Sequence, residues 1–163
     1  MTDSGVPFDA AVPVSPLAVA EAAHVPGTGS APDWPPLEAA KALVPDVTSE
    51  ADWAANQAYI YGFALMRSGC YWEAHEVWEA VWLACPPNGR ARSLLRALIQ
   101  TANARLKARM NRPRAVRRLV DEADHDLAGL GVADGEAFMG VVVSRLRAQL
   151  SELASLHSDD IVG

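Results

Sequence analysis

The stretch Arg90–Met110, RARSLLRALIQTANARLKARM, decides the fold. Leu94, Leu95, Leu98, Ala102 and Leu106 recur at helical spacing and form one apolar stripe. Ala97, Thr101, Ala104 and Ala108 form a second face of small residues. A helix with two buriable faces must be covered on both sides, which places it at the centre of a bundle.

Working outward, the spacing predicts two helices before it and two after. The first begins near Ser49, where Ser49 and Asp52 form a capping-box-like pair. Its apolar residues are Trp53, Ile60, Tyr61, Ala64 and Leu65, and Ser68-Gly69 stops it. The second runs from Tyr71 to about Ala84 and is closed by Pro86-Pro87-Asn88-Gly89. Pro113 opens the fourth, whose stripe is Val116, Leu119, Val120, Ala123 and Leu127, ending at Gly129. Asp134 is expected to cap the fifth, with Phe138, Val142, Leu146, Leu150 and Leu153 facing inward. Strand-like alternation is not seen, and short connections make neighbouring helices antiparallel. The expected class is all-α: a single bundle of about five helices over residues 49–163.

Residues 1–48 differ in kind. They hold eight of the eleven prolines, with many Ala, Val, Gly and Ser. Such punctuation interrupts helices and central strands, so a disordered, acidic Pro/Ala-rich arm is expected. A short helical piece fits Leu37 to Leu43, and Trp34 is placed to tuck onto the folded part. Met1-Thr2-Asp3-Ser4 lacks the basic start of a secretory signal, and no run reaches the roughly 18 apolar residues of a membrane span. A helix between Cys70 and Cys85 would separate them by about 22 Å, too far for a disulfide. Reduced cysteines and a cytoplasmic setting follow as expectations.

The net charge of −6 is uneven: ten basic and no acidic residues lie between Arg90 and Arg118. Basic surfaces bind nucleic acid, but no aromatic residue interleaves here to stack on bases. The acidic arm, the second helix and Asp121–Asp126 supply counter-charge instead. A nucleic-acid role is therefore set aside, and Arg92, Arg96, Gln100, Asn103 and Lys107 are read as one polar strip of the central helix.

The densest chemistry lies in Gly69–Trp82, GCYWEAHEVWEAVW, which packs three tryptophans, three glutamates, a tyrosine and a histidine into fourteen residues. On a helical wheel Tyr71, Ala74, Trp78, Val81 and Trp82 share one face. His75 and Glu79 flank that face one turn apart, while Glu73 and Glu76 point toward water. An imidazole and a carboxylate at the edge of an aromatic face should satisfy each other or share a third partner.

His75-x-x-x-Glu79-x-x-Trp82 is an HxxxExxW pattern, and this segment resembles the hallmark of the domain-of-unknown-function 309 family, small all-helical bacterial and archaeal proteins. The similarity continues through LLRALIQTANARLKARMNRPRAVRRLV and covers about Tyr59 to Leu127. The resemblance implies a helical bundle and a metal role for the His and Glu. It singles out His75, Glu79 and Trp82, with Tyr71 and Gln100 behind them. The resemblance also implies a histidine or an aromatic near Leu106, so an extra ligand found in the family is missing from this chain.

Three functions fit these residues. The pair can be a structural hydrogen bond beneath core tryptophans. His75 and Glu79 can instead be ligands of a divalent metal, since HEVWE looks like an HExxH motif with Glu79 in place of the second His. Glu122-x-x-His125 has the spacing of di-iron bundles, yet both residues point off their apolar stripe. Third, the first helical pair carries Gly62, Leu65, Gly69, Tyr71, Ala74, Trp78 and Pro86 at tetratricopeptide spacing, without a second copy. It can present a groove to a peptide, a protein partner, a second copy of the chain, or the Pro-rich arm. The expected role is a non-enzymatic binding or accessory domain built on Tyr71, His75, Trp78, Glu79 and Trp82. The alternative is a divalent-metal-binding protein or metal-dependent hydrolase, with His75 and Glu79 as ligands and Glu76 as general base.

Overall fold

A computed structural model describes residues 8–9, 11–17, 24–27 and 35–158. The chain is a helical bundle. The helices are α1 (Pro35–Ala42), α2 (Gln57–Arg67), α3 (Tyr71–Leu83), α4 (Arg90–Arg109), α5 (Pro113–Ala128) and α6 (Val143–Leu156). The strands β1 (Ala137–Phe138) and β2 (Val141–Val142) form a small hairpin before α6. None of the described helices is long and apolar enough to cross a membrane.

The two-faced helix occupies the place its sequence dictates. α4 packs against α3 on one side and α5 on the other, and Leu94, Leu95, Ala97, Leu98, Ala102 and Ala104 are buried. α2 covers α3, and α6 covers α5. Ser68 and Gly129 cap α2 and α5 at their C-terminal ends, and Pro113 stands at the first position of α5.

Two expected boundaries are corrected. The first long helix begins at Gln57, not near Ser49, because the Asn56 side chain caps it by accepting from the Tyr59 N–H at 3.1 Å. Residues 53–55 form only a turn of 3₁₀ helix. Asp134 is exposed and does not cap the last helix, which starts nine residues later. Between them the chain makes the hairpin that pairs Ala137 with Val142 and Phe138 with Val141. Its loop, Met139-Gly140, has φ of 49° and 78°, the pattern of a type I′ turn. The Tyr59 hydroxyl holds this turn by donating to the Met139 carbonyl at 2.7 Å. A Cβ on Gly140 would lie 2.7 Å from the Trp53 ring, so glycine is required both by φ and by close packing.

Part of the segment expected to be a disordered arm sits on the bundle. Phe8 meets Phe63 with ring centroids 5.9 Å apart, and Phe8 and Val12 are buried. The Phe8 carbonyl accepts from the Val142 N–H at 2.9 Å, and Asp9 pairs with Arg67. Burial pushes the Asp9 carboxyl up despite that guanidinium. The short helical piece expected near Leu37 is α1, which buries Leu37 and Ala40 against α2 and α3. Trp34 lies outside the described residues.

Candidate functional site

Helix α3 carries two different environments. On the side facing α2, Trp78 is fully buried. Its indole N–H donates to the Tyr59 carbonyl at 3.0 Å, and its ring meets Phe63 edge-on at 4.9 Å. Gly62 makes this approach feasible, since a Cβ there would lie 2.0 Å from Trp78 Nε1. Trp78 is therefore a structural residue of the α2–α3 seam.

On the side facing α1 the ionisable groups converge. His75 Nε2 lies 3.0 Å from Glu79 Oε2, as the one-turn spacing requires. His75 Nδ1 lies 3.6 Å from Glu76 Oε1, is shielded from solvent, and has no hydrogen-bond partner among the described residues. Glu76 Oε2 in turn meets Lys41 Nζ of α1 at 3.1 Å. One donor atom from each of His75, Glu76 and Glu79 falls within 4.8 Å of the others. The exposures of His75, Glu76 and Glu79 are 22, 28 and 49%, so the corner is half-hidden and reachable from solvent.

Two expectations about this helix are corrected. Glu76 does not point freely into water; it completes the corner with His75 and Lys41. Glu73 is 1% exposed rather than solvated. Its Oε1 accepts from the His24 N–H at 2.8 Å, while His24 sets its ring edge-on to Trp72 at 4.9 Å, so the N-terminal segment covers it. Glu73 Oε2 is buried without a partner among the described residues.

The remaining expected site residues divide. Trp82 is half-buried, with the Arg92 guanidinium 4.0 Å above its ring and its Nε1 without a partner among the described residues. Tyr71 lies under Arg109 at 4.4 Å, and Arg109 also donates to the Gly69 carbonyl at 2.7 Å. Gln100 is engaged elsewhere: its amide donates to Glu122 Oε2 at 2.7 Å, in a groove shared with Arg96, His125 and Asp126. Glu122 also takes Arg118 at 3.1 Å, and His125 is exposed, so this pair builds no ligand cluster. His157 Nδ1 lies 2.9 Å from the Leu153 carbonyl at the end of α6.

The basic block is largely absorbed by the fold. Arg96 makes a two-pronged contact with the buried Asp126, its Nε at 2.7 Å, and that bond holds the guanidinium pKa up. Arg90 covers Phe138 at 4.3 Å, and Arg92 donates to the Cys85 carbonyl at 3.2 Å. Cys70 and Cys85 are buried and not disulfide-bonded among the described residues, and burial pushes the Cys85 thiol up, which leaves it a poor nucleophile.

Residues 59–119 match the family model described as Domain of unknown function (DUF309). No curated protein and no solved structure matches the chain. The DUF309 segment spans α2, α3, α4 and the first turns of α5, so it contains the seam and the three donors of the corner. Lys41 and α1, which close the corner, lie outside it.

Sequence reasoning named Glu76 only as a general base and aimed it toward water, so it did not foresee Glu76 as the third group of the corner. Lys41 carries no sequence signal, because its contact is made thirty-five residues away.

Proposed function

We propose that the chain is an accessory binding domain whose ligand is a divalent cation, held by His75, Glu76 and Glu79. The observation that carries this is the convergence of the three donors within 4.8 Å beside a shielded imidazole nitrogen that lacks a hydrogen-bond partner among the described residues. The donor set fits the ion: one imidazole and two carboxylates suit Zn²⁺, Mn²⁺ or Fe²⁺ better than a soft thiolate-seeking metal. A bound ion would cross-link two successive turns of α3 and neutralise the two carboxylates. Glu76 contributes as a ligand in this reading. It is already engaged by Lys41 at 3.1 Å, which leaves it badly placed as the general base of a hydrolase.

Calorimetric titration of the purified protein with Zn²⁺, Mn²⁺ and Fe²⁺ tests the reading. One saturable site should appear in the wild type and vanish in His75→Ala and in Glu79→Gln. Identical heats from the wild type and His75→Ala would refute it.

A further inference from the structure

We propose that Lys41 is a tethered competitor for the cation at the His75–Glu76–Glu79 corner, and that α1 is a strap which cation binding loosens. The inference rests on the cation reading above and adds its regulation. Lys41 Nζ stands 3.1 Å from Glu76 Oε2 and 3.6 Å from Glu38 Oε1. The ammonium thus sits on one of the three groups that an ion would need. Both side chains are 28% exposed, so solvent screens the pair only partly. A divalent ion drawing on Glu76 would meet Lys41 as a like charge at close range, and the two occupants exclude each other.

The strap itself is slight. α1 has eight residues and buries only Leu37 and Ala40. A helix this short draws little stability from its own backbone bonds. Its polar hold on α3 runs through Lys41 to Glu76. The chain before it is anchored separately, by the His24 N–H to Glu73, one turn earlier on α3. Release of Lys41 therefore frees α1 while the Glu73 anchor stays. By reciprocity, whatever holds α1 down weakens the cation, and the cation weakens the hold by the same factor.

Lys41→Met removes the charge and keeps the aliphatic stem. It should bind Zn²⁺ roughly five- to tenfold more tightly than the wild type in the same buffer. Lys41→Arg should bind like the wild type, and circular dichroism should show both variants folded. In the wild type, saturating Zn²⁺ should speed amide exchange across 37–44 and leave α4 unchanged. Equal affinity of wild type and Lys41→Met, with unchanged exchange over 37–44, overturns the competitor while leaving the cation site standing. Failure of all three proteins to bind Zn²⁺ removes the site itself, and the strap with it.

Discussion

The two sides of α3 use the same kinds of residue to opposite ends. Toward α2, Trp78 is fully enclosed and its indole N–H is satisfied. Phe63, Tyr59 and Trp53 continue from it as a chain of edge-on rings, with centroids 4.9 to 6.4 Å apart. Away from that seam, Trp82 is half-buried beneath Arg92 of α4, and its N–H, like His75 Nδ1 and Glu73 Oε2, finds no partner among the described residues. Unpaired buried polar atoms cost stability, so a fold tolerates them poorly unless something compensates. The seam is where this sequence obtains its stability, and the corner is where it gives some up. The proposed division between structural and cation-binding residues rests on that contrast more than on the motif.

The largest effect should come from filling the seam. Gly62→Ala places a methyl group 2.0 Å from Trp78 Nε1, a distance no side-chain adjustment on a packed helix absorbs. Overpacking of this kind should lower stability by about 3 kcal/mol or more. For a chain of this size that means a melting temperature roughly 10 °C lower. Shrinking the ring in Gly62→Ala/Trp78→Leu should recover part of the loss, because the two positions share one space. A single variant that melts like the wild type would show that the seam is not closely packed.

Next in size is the contrast between the tryptophans themselves. Trp78→Phe removes a buried hydrogen bond to the Tyr59 carbonyl and leaves a void, at a cost of about 2–3 kcal/mol. Trp82→Phe deletes an N–H that has no partner among the described residues and keeps an aromatic face for Arg92, so it should cost under about 1 kcal/mol. Denaturant unfolding of the pair gives the comparison directly. Equal losses would erase the distinction between the enclosed and the half-buried tryptophan.

Alkaline titration probes the seam without mutation. Burial pushes Tyr61 up to about 12 from 10.0, and raises Tyr59 and Cys85 as well. Above pH 10 the unfolded chain therefore releases phenolic protons that the folded chain retains. The unfolded state then binds fewer protons, and stability falls as pH rises from about 10 toward 12. Cys85 starts the decline near its ordinary value of 9.0. Thermal melts between pH 7 and 11 should show a plateau and then a drop of several degrees. A melting temperature that holds through pH 11 would mean these groups are solvated.

How much of this was legible follows from the range of each interaction. The helices announce themselves because the 3.6-residue spacing of Leu94, Leu98 and Val116, Leu119, Ala123 is local. The start of α2 was misplaced because Ser49 and Asn56 both have cap chemistry, and tertiary packing of Trp53 on Gly140 selects between them. The hairpin stayed hidden because Met-Gly is a weak type I′ signal, and its turn is held by Tyr59, eighty residues earlier. His75 and Glu79 were legible as a pair, since one turn of helix fixes their meeting. The burial of Glu73 and the arrival of Lys41 were not, because both depend on where a Pro-rich segment lands.

The smallest stability effect separates the remaining alternatives most sharply. If His75 and Glu79 served only to fix helix register, His75→Ala would cost several degrees, as breaking an enclosed pair does. The pair is instead half-open, with Glu79 49% exposed, and such pairs contribute under about 1 kcal/mol. Removing the imidazole also removes a shielded nitrogen that has no partner among the described residues, which offsets part of the loss. His75→Ala should therefore melt within roughly 3 °C of the wild type while losing the Zn²⁺ heat altogether. A large drop in melting temperature with cation binding intact would reverse both halves, making His75 a piece of the seam's architecture and leaving α3 with one kind of face.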